Sequence, residues 1–206
     1  MEAFLFKRRR FFCLGKGDKI IIYNMEIEIK AKVNDFKPIK NKLKKLGAKK
    51  VGLKHQIDSY YLPNARKFSR AGRRVLRTRY DKLSGKVRLE SHFYFNQTTG
   101  LEHEVEMADI KTLEKILADL KCKKMAVVEK KRESYHYQNM EIVLDEVKGL
   151  GKFMEVEIMG EDSTKNKRKI KDFYKKLGMS SKQFVLGPRY HGMILKRKGY
   201  KHHYFK

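Results

Sequence analysis

Met25-Glu26-Ile27-Glu28-Ile29-Lys30 alternates apolar and ionised side chains without a break. In an extended strand, neighbouring side chains point to opposite faces. Glu26, Glu28 and Lys30 therefore share one face, and Ile27 and Ile29 share the other. The pattern returns along the chain. Val75-Leu76-Arg77-Thr78-Arg79-Tyr80 puts two arginines on one face, and Glu102, Glu104 and Glu106 form an acidic row. Lys130 and Arg132 form a basic pair, Ile142-Val143-Leu144-Asp145 carries one acid, and Met154-Glu155-Val156-Glu157-Ile158 repeats the first motif. A single strand of this kind fits any antiparallel sheet with one wet face. Several strands that use only ionisable residues on the polar face, segregated by sign, point to a sheet closed around a lumen. The apolar faces would then look outward, under helices.

Three segments have helical periodicity. The first runs from about Asp35 to Leu46, with Asp35 as cap, Pro38 in the first turn and Gly47 after the end. The second runs from about Asp109 to Leu120, and the third from about Ser163 to Leu177, ending at Gly178. Each is apolar on one side and mostly lysine-rich on the other, as expected for a surface helix. A weak repeat links them. Glu26-x-Glu28 leads through a helix to Ser59-Tyr60-Tyr61, Glu104-x-Glu106 to Ser134-Tyr135, and Glu155-x-Glu157 to Arg189-Tyr190. This reads as three strand–helix–strand units.

The chain of 206 residues is 41% hydrophobic and 11% aromatic, enough for a packed core. No apolar run approaches the ~18 residues needed to cross a bilayer. The early apolar piece Ile20 to Tyr23 is too short for a secretion signal. Cys13 and Cys122 form no disulfide or zinc framework, which fits a cytoplasmic location. The formal charge is +26, with +4 in residues 1–24 and +5 in residues 196–206. So basic a body attracts polyanions, although a lysine-rich composition gives the same number without a function. The expected organisation is a basic extension over 1–24, one domain over 25–195 and a basic tail over 196–206. Met25 directly precedes the first motif and is the expected natural start.

Seven acids lie on polar strand faces: Glu26, Glu28, Glu104, Glu106, Asp145, Glu155 and Glu157. Facing one lumen, they need compensation. A hard divalent cation, Mg2+ or Mn2+, is one source. The set Lys30, Arg77, Arg79, Lys130 and Arg132 is the other, and its size suggests a bound triphosphate. Gly149-Leu150-Gly151-Lys152 lacks P-loop spacing and reads as a turn. No Ser-His-Asp pattern stands out. His202 and His203 read as solvated, and Tyr60, Tyr61, Tyr135 and Tyr137 as packing.

Glu26-x-Glu28-x-Lys30 resembles the ExExK signature of CYTH proteins. Gln56-Ile57-Asp58-Ser59-Tyr60-Tyr61-Leu62, Leu76-Arg77-Thr78-Arg79, Lys130-Lys131-Arg132-Glu133-Ser134-Tyr135 and the hairpin Leu144 to Glu157 resemble further segments of that family, in order. The resemblance spans about Met25 to Leu195 and is nearest the class IV adenylyl cyclase-like branch. It implies an α+β fold: a closed antiparallel barrel of about eight strands, the triphosphate tunnel, with surface helices. It implies Mg2+ or Mn2+ on Glu26, Glu28, Glu104, Glu106, Asp145, Glu155 and Glu157. The triphosphate would lie on Lys30, Arg77, Arg79, Lys130 and Arg132, with Glu28 and Lys30 as the catalytic pair. The implied activity is metal-dependent conversion of ATP to cyclic AMP and pyrophosphate. An inorganic or nucleoside triphosphatase and a non-catalytic polyphosphate- or RNA-binding module are the alternatives. Thiamine-triphosphate hydrolysis is disfavoured, because the chain has no tryptophan. Two positions depart from the family pattern: His92 stands where a lysine is usual, and Glu102 where an arginine is usual. Weakened phosphate binding at His92 is the expected result. The expected partners are a nucleoside triphosphate or polyphosphate, with weak nucleic-acid binding through the basic surface; no membrane is expected, and homodimerisation is left open.

Overall fold

Every strand described below has an antiparallel neighbour on both sides, so the sheet has no free edge. The computed structural model describes residues 25–62, 74–94, 96–160, 163–187 and 189–199. Its strands are β1 (Met25–Val33), β2 (Lys49–Leu62), β3 (Arg74–Asp81), β4 (Val87–Tyr94), β5 (Thr99–Met107), β6 (Lys123–Tyr137), β7 (Met140–Val147) and β8 (Gly151–Gly160). They close in the order β1-β5-β4-β3-β2-β6-β7-β8. Closure depends on β1, which pairs with β5 on one flank and with β8 on the other. The expected α+β barrel with surface helices is what the chain forms.

Alternation sets the two faces. On β1, Ile27, Ile29, Ala31 and Val33 turn outward into the main apolar cluster. There they meet Ile39 and Leu43 of α1 (Lys37–Lys45) and Ile170, Phe173 and Tyr174 of α3 (Thr164–Lys176). Burying each such side chain contributes about 1.5–3 kcal/mol. Helix α2 (Ile110–Asp119) covers the other side with Leu113 and Leu117 against Tyr61 and Val87. The helix ends follow local chemistry. Asp109 accepts from the Thr112 amide at 2.6 Å, and Ser163 accepts from the Asn166 amide at 3.2 Å. Asp35 accepts from the Lys37 amide at 3.2 Å, one residue ahead of the α1 cap, Phe36. Gly178 ends α3 in the left-handed region at φ +72°, where a Cβ would lie 2.7 Å from the Lys42 ammonium. Gly149 and Gly151 form the β7–β8 turn.

A fourth helix, α4 (Tyr190–Arg197), corrects the expected third strand–helix–strand unit. Arg189 and Tyr190 do not lie in a strand: Arg189 is the N-cap of α4. The segment has no strand alternation, and Tyr190 and Leu195 pack instead on Tyr60, Ala126 and Val128. Those three side chains share the inward face of β2 and β6, so α4 stoppers one end of the bore. The helix also runs across the expected boundary at 195 to Arg197. The extension 1–24, the tail beyond residue 199, Cys13, His202 and His203 lie outside the described residues. Among those described, no helix is long and apolar enough to cross a membrane.

Tyr174 pins α3 to the β1–β8 seam. Its hydroxyl donates toward the Ile29 carbonyl at 2.7 Å and lies 2.9 Å from that of Met154. Tyr174→Phe removes these bonds with little change in shape. The expected loss is about 1–3 kcal/mol, read as a lower urea midpoint at unchanged slope.

Candidate functional site

The inward faces enclose a cavity with some 750 Å³ of empty space, counting its open mouth. Its lining includes the cations Lys30, Lys54, Arg77, Arg79, Arg88, Lys130, Arg132 and Arg189 and the carboxylates Glu26, Glu28, Glu102, Glu141, Glu155 and Glu157. Behind them stand Asp58, Glu90 and Asp145, each 0% exposed.

Strand register explains the basic wall. Arg79 lies opposite Asp58 across β2–β3 and binds it with two hydrogen bonds, Nε–Oδ1 at 2.8 Å and Nη2–Oδ2 at 2.9 Å. Arg132 lies opposite Asp145 across β6–β7 and binds it the same way, at 2.7 and 2.5 Å. Arg77 lies opposite Glu90 across β3–β4; its Nε donates to Oε2 at 2.5 Å. Two-point pairing fixes a guanidinium plane that long side chains otherwise leave free. Lys130 lies 3.3 Å from Asp58, yet burial and Arg132 hold its pKa below the ordinary lysine value.

The acidic wall comes from β1 and β8. Lys30 lies opposite Glu155, with an ion pair of 2.9 Å, and Glu28 lies opposite Glu157. Carboxylate oxygens of Glu28, Glu155 and Glu157 all fall within 4.8 Å of one another. Burial and Glu155 push Glu28 upward, but Lys30 and Arg189 outweigh them and hold it below the carboxylate range. Glu155 is also low: burial opposes ionisation, and Lys30 and Arg132 overcome it. Glu157 is pushed well up by burial, Glu26 and Glu141, and Glu26 rises to about 7 through burial, Glu102 and Glu28. Two acids that resist ionisation, Glu157 within the carboxylate cluster and Glu26 next to it, mark a shortage of positive charge. A hard divalent cation fits this all-oxygen donor set.

The expected site residues separate into groups. Lys30, Arg77, Arg79, Lys130, Arg132, Glu26, Glu28, Glu155 and Glu157 all line the cavity. Asp145 lies behind it as the anchor of Arg132 and also accepts from the Tyr190 hydroxyl at 3.2 Å. Its oxygens orient a guanidinium rather than face the lumen. Glu104 pairs with Arg88 at 3.2 Å, and Glu106, with a side chain 66% exposed, pairs with Lys86 at 3.5 Å. Neither is a lining residue: the acidic row of β5 enters the cavity only at Glu102.

Several residues of this candidate site escaped sequence reading. Asp58 and Glu90 sit two residues from Gln56 and His92 respectively on inward faces, a signal in the alternation that went unread, and only register reveals the arginines they hold. Arg189 reaches in from the N-terminus of α4, donates to Glu28 at 2.5 Å and stacks on Tyr94 at 4.0 Å. No strand pattern could signal it. Tyr60, read as packing, lines the cavity and accepts from Arg77 at 3.3 Å.

The CYTH domain profile matches residues 24–187, which include all eight strands. The chain belongs to the CYTH domain family. A Methanocaldococcus jannaschii protein named "Putative adenylate cyclase MJ0240" is 31% identical over 142 residues, 65% of this chain and 76% of that protein. Among solved structures, PH1012 protein from Pyrococcus horikoshii OT3 superposes with a TM-score of 0.70 at 28% identity, covering 79% of this chain and 96% of the other. HpAC1 from Hippeastrum, reported with a dominant triphosphatase activity, shares the fold at a TM-score of 0.61 and 12% identity, over 88% of this chain and 99% of its own. This CYTH domain is thus a closed eight-stranded barrel whose family includes adenylyl cyclase-like and triphosphatase enzymes.

Glu26 sets a pH dependence. Folded, its carboxyl titrates at about 7, above the ordinary 4.5. Between these values the folded chain keeps a proton that the unfolded chain releases, so stability from this group is full below about pH 4.5 and lost as pH rises through about 7. Glu26→Gln is expected to melt higher than wild type at about pH 8 and to converge with it at about pH 4.5. Mg2+ should raise the wild-type melting temperature more at about pH 8 than at about pH 6, because it competes with that proton.

Proposed function

We propose that this CYTH domain is an enzyme acting on a nucleoside triphosphate with Mg2+ or Mn2+, and that its reaction is adenylyl cyclase-like, giving cyclic AMP and pyrophosphate from ATP. The observation that carries the reading is one bore with a carboxylate cluster on β1 and β8 and an anchored guanidinium wall on β3 and β6. A polyanionic chain and its counter-cation need both at once. The name of the M. jannaschii relative supports the cyclase assignment.

Arg77, Arg79 and Arg132 would grip phosphate oxygens in planes preset by Glu90, Asp58 and Asp145, so little order need be imposed when substrate arrives. Lys30, kept charged by Glu155 and Glu28 against the effect of burial, would add a point charge where negative charge develops. Glu28, Glu155 and Glu157, with Glu26 at their margin, would hold the divalent ion. When bound, that ion supplies charge neutralisation on phosphate oxygens. The ribose 3′-hydroxyl attacks the α-phosphorus, the bond to the bridging oxygen breaks and pyrophosphate leaves. Glu26, whose carboxyl titrates at about 7 before an ion binds, would accept the hydroxyl proton. The same cradle serves water attacking the terminal phosphorus. Triphosphatase chemistry is therefore the second reading, and the activity reported for HpAC1 favours it.

Full-length protein is incubated with ATP, GTP and tripolyphosphate in Mg2+ or Mn2+, and chromatography should show cyclic nucleotide and pyrophosphate from ATP. Nucleoside diphosphate and orthophosphate without cyclic nucleotide would select the triphosphatase, and no turnover of any of the three would overturn the reading. Glu28→Gln and Arg132→Ala should each lower kcat/KM by about 10²–10³ while circular dichroism stays native.

A further inference from the structure

The wall of the bore built by β4 and β5 carries a different set of groups. His92 faces Glu102 directly across the β4–β5 ladder, and Glu90 lies two residues along β4 on the same face. One ligand atom from each of Glu90, His92 and Glu102 lies within 4.8 Å of the others. His92 Nε2 is 3.4 Å from both Glu90 Oε2 and Glu102 Oε1. We propose that Glu90, His92 and Glu102 form a second divalent-metal site, separate from the all-carboxylate cluster of β1 and β8 and selective for an ion that accepts nitrogen, such as Mn2+ or Zn2+.

Ladder pairing fixes where the three side chains start, so the site needs no loop to order. Glu90 is fully buried and turns its Oε2 toward His92, while its Oε1 lies on the other side of the carboxylate. Its nearest recorded cation is Arg79, 3.3 Å from that oxygen. Burial and Arg77 keep the imidazole below its ordinary pKa, and the neutral ring is the form that ligates metals. Burial opposes ionisation of Glu90, but Arg77 overcomes it.

Arg77 is the competing occupant. Its guanidinium bonds Glu90 Oε2 and reaches Glu102 Oε1 at 3.4 Å, the same two oxygens that face His92. A guanidinium clamp needs the two carboxylates and gains nothing from a neutral imidazole, whereas a metal uses all three groups. An ion entering there would take Glu102 Oε1 from Arg77 and share Glu90 with it, so the guanidinium keeps its ladder partner. The imidazole ligand favours Mn2+ or Zn2+ over Mg2+, which prefers oxygen.

The site stands whichever triphosphate reaction the β1–β8 cluster performs, and its test reads no turnover. Full-length protein, stripped with chelator and loaded with Mn2+ alone, is measured by pulsed electron paramagnetic resonance. The β1–β8 cluster contains no nitrogen donor, so a nitrogen modulation reports a histidine-bound ion. The expected result is a modulation that survives excess Mg2+, persists in His191→Gln and is lost in His92→Gln and in Glu102→Gln, each binding one ion fewer than wild type. Glu157→Gln should lose an ion and keep the modulation. Absence of nitrogen modulation in wild type, or its survival in His92→Gln, would overturn the site without touching the β1–β8 cluster. If His92→Gln fails to fold, Glu102→Gln and the wild-type spectrum decide the question alone.

Discussion

Closure of the sheet is the constraint on which everything else depends. In an open sheet, ionised residues on the polar face would meet water. Joined through β1 to both β5 and β8, the same face becomes the wall of a narrow bore. Charges there cannot be diluted by solvent and must be answered by neighbours or ligands. The paired arginines are the response. Each guanidinium that faces the lumen from β3 or β6 leans on a carboxylate at the facing ladder position. The cations are thus held in place before any anion arrives, which is the condition under which fixed charges stabilise a reacting phosphate best.

The two walls differ in how fully they are answered. On the basic side, Asp58 and Asp145 are saturated by their arginines. On the acidic side, Glu26 and Glu157 resist ionisation although Lys30, Arg132 and Arg189 stand close by. An asymmetry of this sort gives a direction to the bore. One side is complete as built and awaits an anion; the other is short of cations. Glu26, influenced both by Glu28 and by Glu102, sits between the β1–β8 cluster and the β4–β5 group, so occupancy of either is expected to be felt by the other.

Strand alternation made much of this legible. Glu26, Glu28 and Lys30 could be assigned to one face because a two-residue period leaves no other choice, and the helices showed themselves through apolar periodicity, while the cap read at Asp35 fell one residue early. Register was the illegible part. Nothing local to Arg79 names Asp58 as its partner, and nothing in the row Glu102, Glu104, Glu106 says that only its first member reaches the cavity. Those facts depend on how far each strand slides past its neighbour. The departure at His92 was visible, but its meaning was not. Read alone, it is a lost phosphate-binding cation; set opposite Glu102 and beside Glu90, it becomes part of a donor set. Arg189 was hidden for a third reason: a helix N-terminus delivers it from outside the barrel pattern.

The double engagement of β1 also bears on how the chain reaches its native state. The first strand finds its β8 partner only when residues 151–160 have been made. Until then, Ile27 and Ile29 have no cover on the β8 side, and an exposed strand edge persists beside them. Long-range pairing of this kind slows folding and lengthens exposure to neighbouring chains. During synthesis the sheet therefore keeps an unpaired edge until its last strand emerges from the ribosome.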